Sequence, residues 1–194
     1  MLAEVEVEMR DLSLPSEFLK YMLWFTSNTP VLLLVFMLLG CVPDDDISNH
    51  RTLAAGYIEL DLLDAKRDRP VITKIWYPSA AEEKDLSITY DLAFKGRAIK
   101  AAQYLASASP RPLVVLSHGD RGSNVDQSWL AESLAANGYI VAAAAHWMNT
   151  WKNNTPEATL RVWERAKDLQ FVLTTLLNND VWGARIDPSK VAAA

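Results

Sequence analysis

Between Ser117 and Asn124 the chain places a hydroxyl, an imidazole, two glycines and a charged pair within eight residues, in the order Ser-His-Gly-Asp-Arg-Gly-Ser-Asn. The run from Leu113 to Ser117 is apolar and rich in β-branched residues, and a helix-like stretch follows the loop. A buried strand that ends in a polar, glycine-bearing loop and feeds a helix is how open α/β sheets build a site. Such a loop lies at the carboxyl edge of its strand, with backbone N–H groups and the helix dipole free to meet negative charge. The chemistry this permits is stabilisation of an anion, either a bound phosphate or an oxygen that becomes charged during reaction.

The side chains around it are weighed in the same way. A direct Ser117–His118 pair is not expected, because the pleat sends successive side chains to opposite faces. His118 reads as a brace for the loop, His146 as a lone strand-end residue with a structural role first and a pocket wall second, and His50 as a solvated linker residue. Three histidines this scattered do not form a metal site. Trp147 and Trp151 fall in the loop after His146 and suit either a pocket or packing. Asp168 stands among Arg161, Arg165 and Lys167, which reads as a solvated ionic face. A nucleotide site in GDRGSN is the rival for the loop, but the three-glycine spacing is missing and the next strand ends in Ala145-His146 rather than an acid.

The elements that position the loop follow from pattern. Gly56 to Leu63 and Val71 to Tyr77 read as an antiparallel edge hairpin around a charged turn. Residues 79 to 110 give weaker signals, with a short helix expected over Ala98 to Ala106. After Leu113–Ser117, a helix capped by Ser123 or Asn124 runs to Asn137-Gly138. Ile140 to Ala145 is a second buried strand. Thr155-Pro156-Glu157 begins a long helix whose apolar stripe is Leu160, Trp163, Ala166, Leu169, Leu173, Leu176 and Leu177. Lys190 to Ala194 begins a further strand. The order β-β, then β-α-β-α-β, predicts an α/β fold: parallel strands with helices on both faces beside an edge hairpin.

Composition bounds the function. Half of the 194 residues are hydrophobic and 22% are charged, which is a globular balance. The net charge of -5 and the lack of a Lys/Arg cluster argue against a nucleic-acid partner. The single cysteine excludes an internal disulfide and a cysteine-based zinc site. That cysteine, Cys41, follows the apolar run Val31 to Leu39, which is too short for a comfortable membrane span but suits a secretion signal. Leu38-Leu39-Gly40-Cys41 resembles the lipobox of bacterial lipoproteins, which implies lipidation of Cys41. The expected organisation is a leader and lipoprotein-type signal or membrane anchor over 1–41, a linker over 42–55 and a catalytic-type domain over 56–194. The domain is then expected in the periplasm or at the cell surface, held to the membrane through that anchor.

Four stretches together resemble the α/β-hydrolase superfamily, in its dienelactone-hydrolase-like and platelet-activating-factor-acetylhydrolase-like branch. They are VITKIWYP at 71–78, PLVVLSHGDRGSN at 112–124, LAESLAANGYIVAAAAH at 130–146, and DLQFVLTTLL followed by RIDPSKVAAA. The resemblance implies a hydrolase of carboxylic esters, lactones or thioesters, acting on a small ester or lipid-like substrate with no cofactor. It implies an oxyanion hole at Gly119 and Asp120, through the backbone; His118, His146 and Trp147 are, from their own positions, the candidates for a pocket wall. The family's Pro-Asp before the histidine is replaced here by Ala144-Ala145. Its nucleophile elbow, Gly-x-Ser-x-Gly, follows the strand that here reads VAAA, and the motif occurs nowhere in these residues. No catalytic residue of a triad is therefore expected among them; they read as the N-terminal part of the fold, inactive alone. A non-catalytic, membrane-anchored lipoprotein that binds an apolar or ester ligand is the alternative.

Overall fold

Two uninterrupted apolar runs form the middle of the sheet, β6 (Arg111–Ser117) and β7 (Ile140–Ala144). They pair in parallel, Leu113 opposite Ile140 through Ser117 opposite Ala144. Neither alternates with polar residues, because both faces are covered. Leu113, Val115, Ala142 and Ala144 join one core cluster, while Val114, Leu116, Val141 and Ala143 join the other.

The computed structural model describes residues 53–81, 88–91 and 94–194, which lie in one compact unit, Arg51–Ala194. The leader, the apolar run and Cys41 lie outside the described residues, and with them the expected tether. No helix among the described residues is long and apolar enough to cross a membrane.

The hairpin is β1 (Ala54–Asp64) and β2 (Arg69–Ser79), antiparallel over its whole length. The elements β3 (Ile88–Asp91) and β4 (Phe94–Gly96) form a separate two-stranded ribbon. The short β5 (Ile99–Lys100) adds to β1, and β8 (Ile186–Ala193) adds in parallel to β6. The six-stranded order is β5-β1-β2-β7-β6-β8, with β2 antiparallel to β7. This is an α/β fold with a parallel centre.

The helix expected over Ala98–Ala106 does not form. Ala101 has φ of 53°, which ends any right-handed turn there, and the chain instead hydrogen-bonds along the end of β2, Ala80 N–H to Gln103 and Leu105 N–H to Pro78. Helix α1 (Ser128–Ala136) starts later than its expected cap. Ser123 does cap, but it caps a preceding turn: its hydroxyl accepts from Val125 N–H and donates to Asp126.

The expected long helix is two. Thr155 caps α2 (Pro156–Leu160) by accepting from Ala158 N–H, with Pro156 in the first turn as its fixed φ favours. The chain then breaks at Arg161, whose ψ is 55°, and resumes as α3 (Trp163–Leu177). The break resets the helical phase. Leu160 and Trp163, expected in the buried stripe, are exposed. The inward line of α3 is Asp168, Val172 and Leu176, at four-residue spacing. Each fully buried aliphatic chain in that line stabilises by roughly 1.5–3 kcal/mol. A one-turn helix, α4 (Asp180–Gly183), is capped by Asn179 and leads into β8.

Candidate active site

Along β6, Leu113, Val115 and Ser117 share the face covered by α3, and on β7 the same face carries Ala142 and Ala144. Two residues beyond Ala144 comes His146, so the ladder brings Ser117 and His146 together above the buried end of α3. The Ser117 hydroxyl lies 2.9 Å from His146 Nε2, and His146 Nδ1 lies 2.9 Å from Asp168 Oδ2. A carboxylate can only accept, so Nδ1 carries the proton. In the neutral ring Nε2 is then bare and accepts from Ser117.

Asp168 is held further. Arg69 donates to both of its oxygens, from Nε at 2.8 Å and Nη2 at 3.0 Å, and Arg67 Nη1 stands 2.9 Å from Oδ1. Burial pushes the Asp168 carboxyl up, but the His146 and Arg69 hydrogen bonds outweigh it and hold the group below the usual carboxylate range. The expected solvated ionic face is thereby corrected. Asp168 is 0% exposed, and its partners come from β2, the turn before it and the loop after β7 rather than from its own helix.

The structure thus assembles a serine, a histidine and an aspartate in the hydrogen-bond order of an acyl-transfer triad. The expectation that these residues hold no catalytic residue of a triad does not anticipate this assembly. Two features set the group apart from an open triad. His146 and Asp168 are both 0% exposed, and the Asp168 charge is already shared by two guanidinium groups.

His118 sits on the other side of His146, with ring centroids 4.6 Å apart. Its Nδ1 donates to Gly119 O at 2.7 Å, and its Nε2 accepts from the His146 backbone N–H at 3.0 Å. One tautomer satisfies both bonds. Burial drives its imidazole down from the ordinary 6.5 to about 4, so the ring is neutral near pH 7. His118, read from the sequence as a brace for the loop and with His146 as a candidate for the pocket wall, is buried beneath the loops as His146 is, and neither lines the clefts beside them. Trp147 is 40% exposed and does line both. One cleft, of about 460 Å³, also has Arg67, Arg69 and Arg161 on its walls. The other, of about 350 Å³, has Ile72, Lys74 and Trp151.

Gly119 and Asp120 are exposed at the carboxyl edge of β6. Among the described residues, neither backbone N–H has a hydrogen-bond partner. A Cβ built on Gly119 would meet nothing within 4 Å. The loop is nonetheless fixed from several sides. The Asp120 carboxylate accepts from Asn149 Nδ2 at 2.8 Å and Thr159 Oγ1 at 2.9 Å, which holds it below the usual range. Arg165 donates to Asn149 Oδ1 at 2.7 Å, and Trp151 N–H reaches Gly122 O. Arg121 and Met148, one in each loop, have φ of 55° and 61°. Non-glycine residues hold that conformation only where the surroundings impose it. No group of three or more His, Cys, Asp or Glu suited to a metal ion occurs among the described residues.

The open space at Gly119 carries a stability prediction. Gly119→Ala is expected to fold with stability unchanged or raised by about 0.4–1 kcal/mol, since its space is open and the unfolded chain loses freedom. Urea unfolding of the variant beside the parent checks this.

No family model matches the chain, and no curated protein does. Solved structures do. A ferulic acid esterase from Streptomyces cinnamoneus is similar with a TM-score of 0.60 and 26% identity, over 73% of this chain and 51% of that one. A dienelactone hydrolase-like promiscuous phosphotriesterase, P91, from metagenomic libraries gives 0.43 and 18%, over 72% and 48%. An acetyl xylan esterase from Paenibacillus sp. R4 gives 0.38 and 12%, over 76% and 47%. The chain spans about half the length of these relatives. The first of them carries the argument: this chain is related to the α/β-hydrolases and has an ester-hydrolase-like fold.

Proposed function

We propose that the whole protein is a serine-type hydrolase of carboxylic esters, in the dienelactone-hydrolase-like branch, and that these residues supply its oxyanion hole. The observation that carries the reading is the pair of amides at Gly119 and Asp120, unpartnered among the described residues, beside the end of β8. Ser117 N–H donates to Ala194 O at 2.8 Å, and Ala194 N–H to Val115 O at 3.0 Å. In α/β-hydrolases the nucleophile stands on the strand-to-helix turn that follows the strand matched by β8. A serine there would attack within reach of the amides after Ser117, and the tetrahedral oxygen would take their hydrogen bonds. One such donor is worth roughly 2.7–4 kcal/mol of barrier.

A second reading is favoured by one observation, the Ser117–His146–Asp168 line, which would make Ser117 the nucleophile. A fluorophosphonate probe on the whole protein, with the labelled serine mapped by mass spectrometry, distinguishes the two. The first reading expects the label on a serine beyond β8, no label on Ser117, and no p-nitrophenyl acetate turnover by residues 1–194 alone. A label on Ser117, or turnover by residues 1–194 that Ser117→Ala abolishes, replaces the first reading with the second. No label and no ester turnover by the whole protein removes both.

A further inference from the structure

We infer that His118 is the positioning residue of the oxyanion hole: by fixing the Gly119 carbonyl it aims the Asp120 amide at the reacting oxygen. The inference rests on the ester-hydrolase reading. It starts from the peptide unit between Gly119 and Asp120. That unit is planar and trans, so its C=O and N–H point in opposite directions. Whatever holds the carbonyl therefore orients the amide. Gly119 O accepts from His118 Nδ1 at 2.7 Å and from Gly122 N–H at 3.3 Å, both from within the protein. The Asp120 N–H is turned the other way, and no acceptor meets it among the described residues.

The ring that does this is itself fixed. His146 N–H donates to His118 Nε2, so Nε2 stays bare and the proton stays on Nδ1. The opposite tautomer would set two N–H groups against each other at Nε2 and leave Gly119 O without its shorter bond. Gly122 makes room for the ring, since a Cβ there would lie 3.0 Å from His118 Nδ1. His146 is in turn held at both nitrogens, by Asp168 and by Ser117. The sealed triad-like group thus has a use that needs no access to substrate. From Arg69 through Asp168 and His146 to His118, each bond fixes the next, and the last fixes the peptide that presents the Asp120 amide. Preorganised donors of this kind act because they need not reorient during reaction.

The test compares three variants of the whole protein, His118→Ala, His118→Asn and His118→Gln. Active sites are counted by fluorophosphonate labelling, so that kcat refers to folded enzyme. The Asn side-chain amide superposes on Nδ1–H and keeps the bond to Gly119 O; the Gln amide lies farther out and does not. His118→Ala and His118→Gln are expected to lower kcat about 100- to 1000-fold with KM little changed, as for loss of one oxyanion donor. His118→Asn is expected to recover most of that loss. Equal kcat per labelled site in all three variants would reduce His118 to a packing role and overturn the inference. Nitrogen NMR of the same proteins reads the geometry without turnover. A His118 ring protonated at Nδ1, with an Asp120 amide signal that moves in His118→Gln and holds in His118→Asn, supports the inference. A ring protonated at Nε2 overturns it. A protein that neither turns over ester nor takes the label fails the ester-hydrolase reading instead, and the NMR result then stands by itself.

Discussion

Asp168→Ala is expected to lower folding stability by about 3–5 kcal/mol, the usual loss when one partner of a buried charge network is removed. The carboxylate is 0% exposed and answers Arg69 at 2.8 and 3.0 Å, Arg67 at 2.9 Å and His146 at 2.9 Å. Without it, Arg69 loses its carboxylate partner, Arg67 is left with Asp64 and Glu164 alone, and His146 loses the acceptor that fixes its ring. A domain of this size is stable by only about 5–15 kcal/mol, so the loss is a large fraction of the total. Urea unfolding of the variant and the parent measures the difference. A second comparison identifies the cause. Asp168→Leu combined with Arg69→Met removes both charges and keeps the volume apolar, so it should be much less damaging than Asp168→Ala. A loss below about 1 kcal/mol for Asp168→Ala would mean that the network behaves like an exposed ion pair.

Acid should loosen the fold between about pH 6.5 and 4, before the carboxylates titrate, and His118 is the reason. Burial holds its folded imidazole down at about 4. The same ring in the unfolded chain takes its proton near 6.5. At neutral pH both states carry a neutral ring and His118 contributes no pH dependence. As pH falls through 6.5 the unfolded state binds a proton that the folded state refuses until about 4. Stability therefore declines across that window, by about 3 kcal/mol in all, and this contribution levels off below it. The groups facing His118 are the His146 ring, Asp126 and Arg165, with Asp168 behind His146. The lowered carboxylates, Asp168, Asp120 and Glu164, stay charged in this range and lose their contributions only at lower pH. His118→Asn should flatten the profile between pH 6.5 and 4. A parent protein whose urea midpoint is constant over the window would refute the assignment.

The middle of the sheet was legible because its signal is local. Leu113–Ser117 and Ile140–Ala145 are continuous apolar runs, and only strands covered on both faces read that way. Thr155-Pro156 marked a helix start for equally local reasons, and the cap is where the residues placed it. The polar group behind the loop was not legible. Asp168 has three basic neighbours within its own helix region, and they suggested an exposed face. Its actual partner Arg69 comes from 99 residues earlier, through the packing of α3 on β2. A signal did exist. Asp168 stands one turn before Val172 and Leu176, in a line that the break at Arg161 brings inward. The Ser117–His146 contact likewise depends on register: with Ser117 opposite Ala144, a residue two further on falls on the same face. Sequence alone identifies both strands and leaves that offset open.

The final links of the brace are main-chain atoms, the His146 N–H and the Gly119 carbonyl, and the group they orient is an amide that every residue except proline possesses. Asp120 spends its carboxylate on Asn149 and Thr159, so its acidity has no part in what its nitrogen offers. Chemical identity at position 120 is thus free to drift toward whatever best anchors the neighbouring loop, with proline as the one forbidden letter.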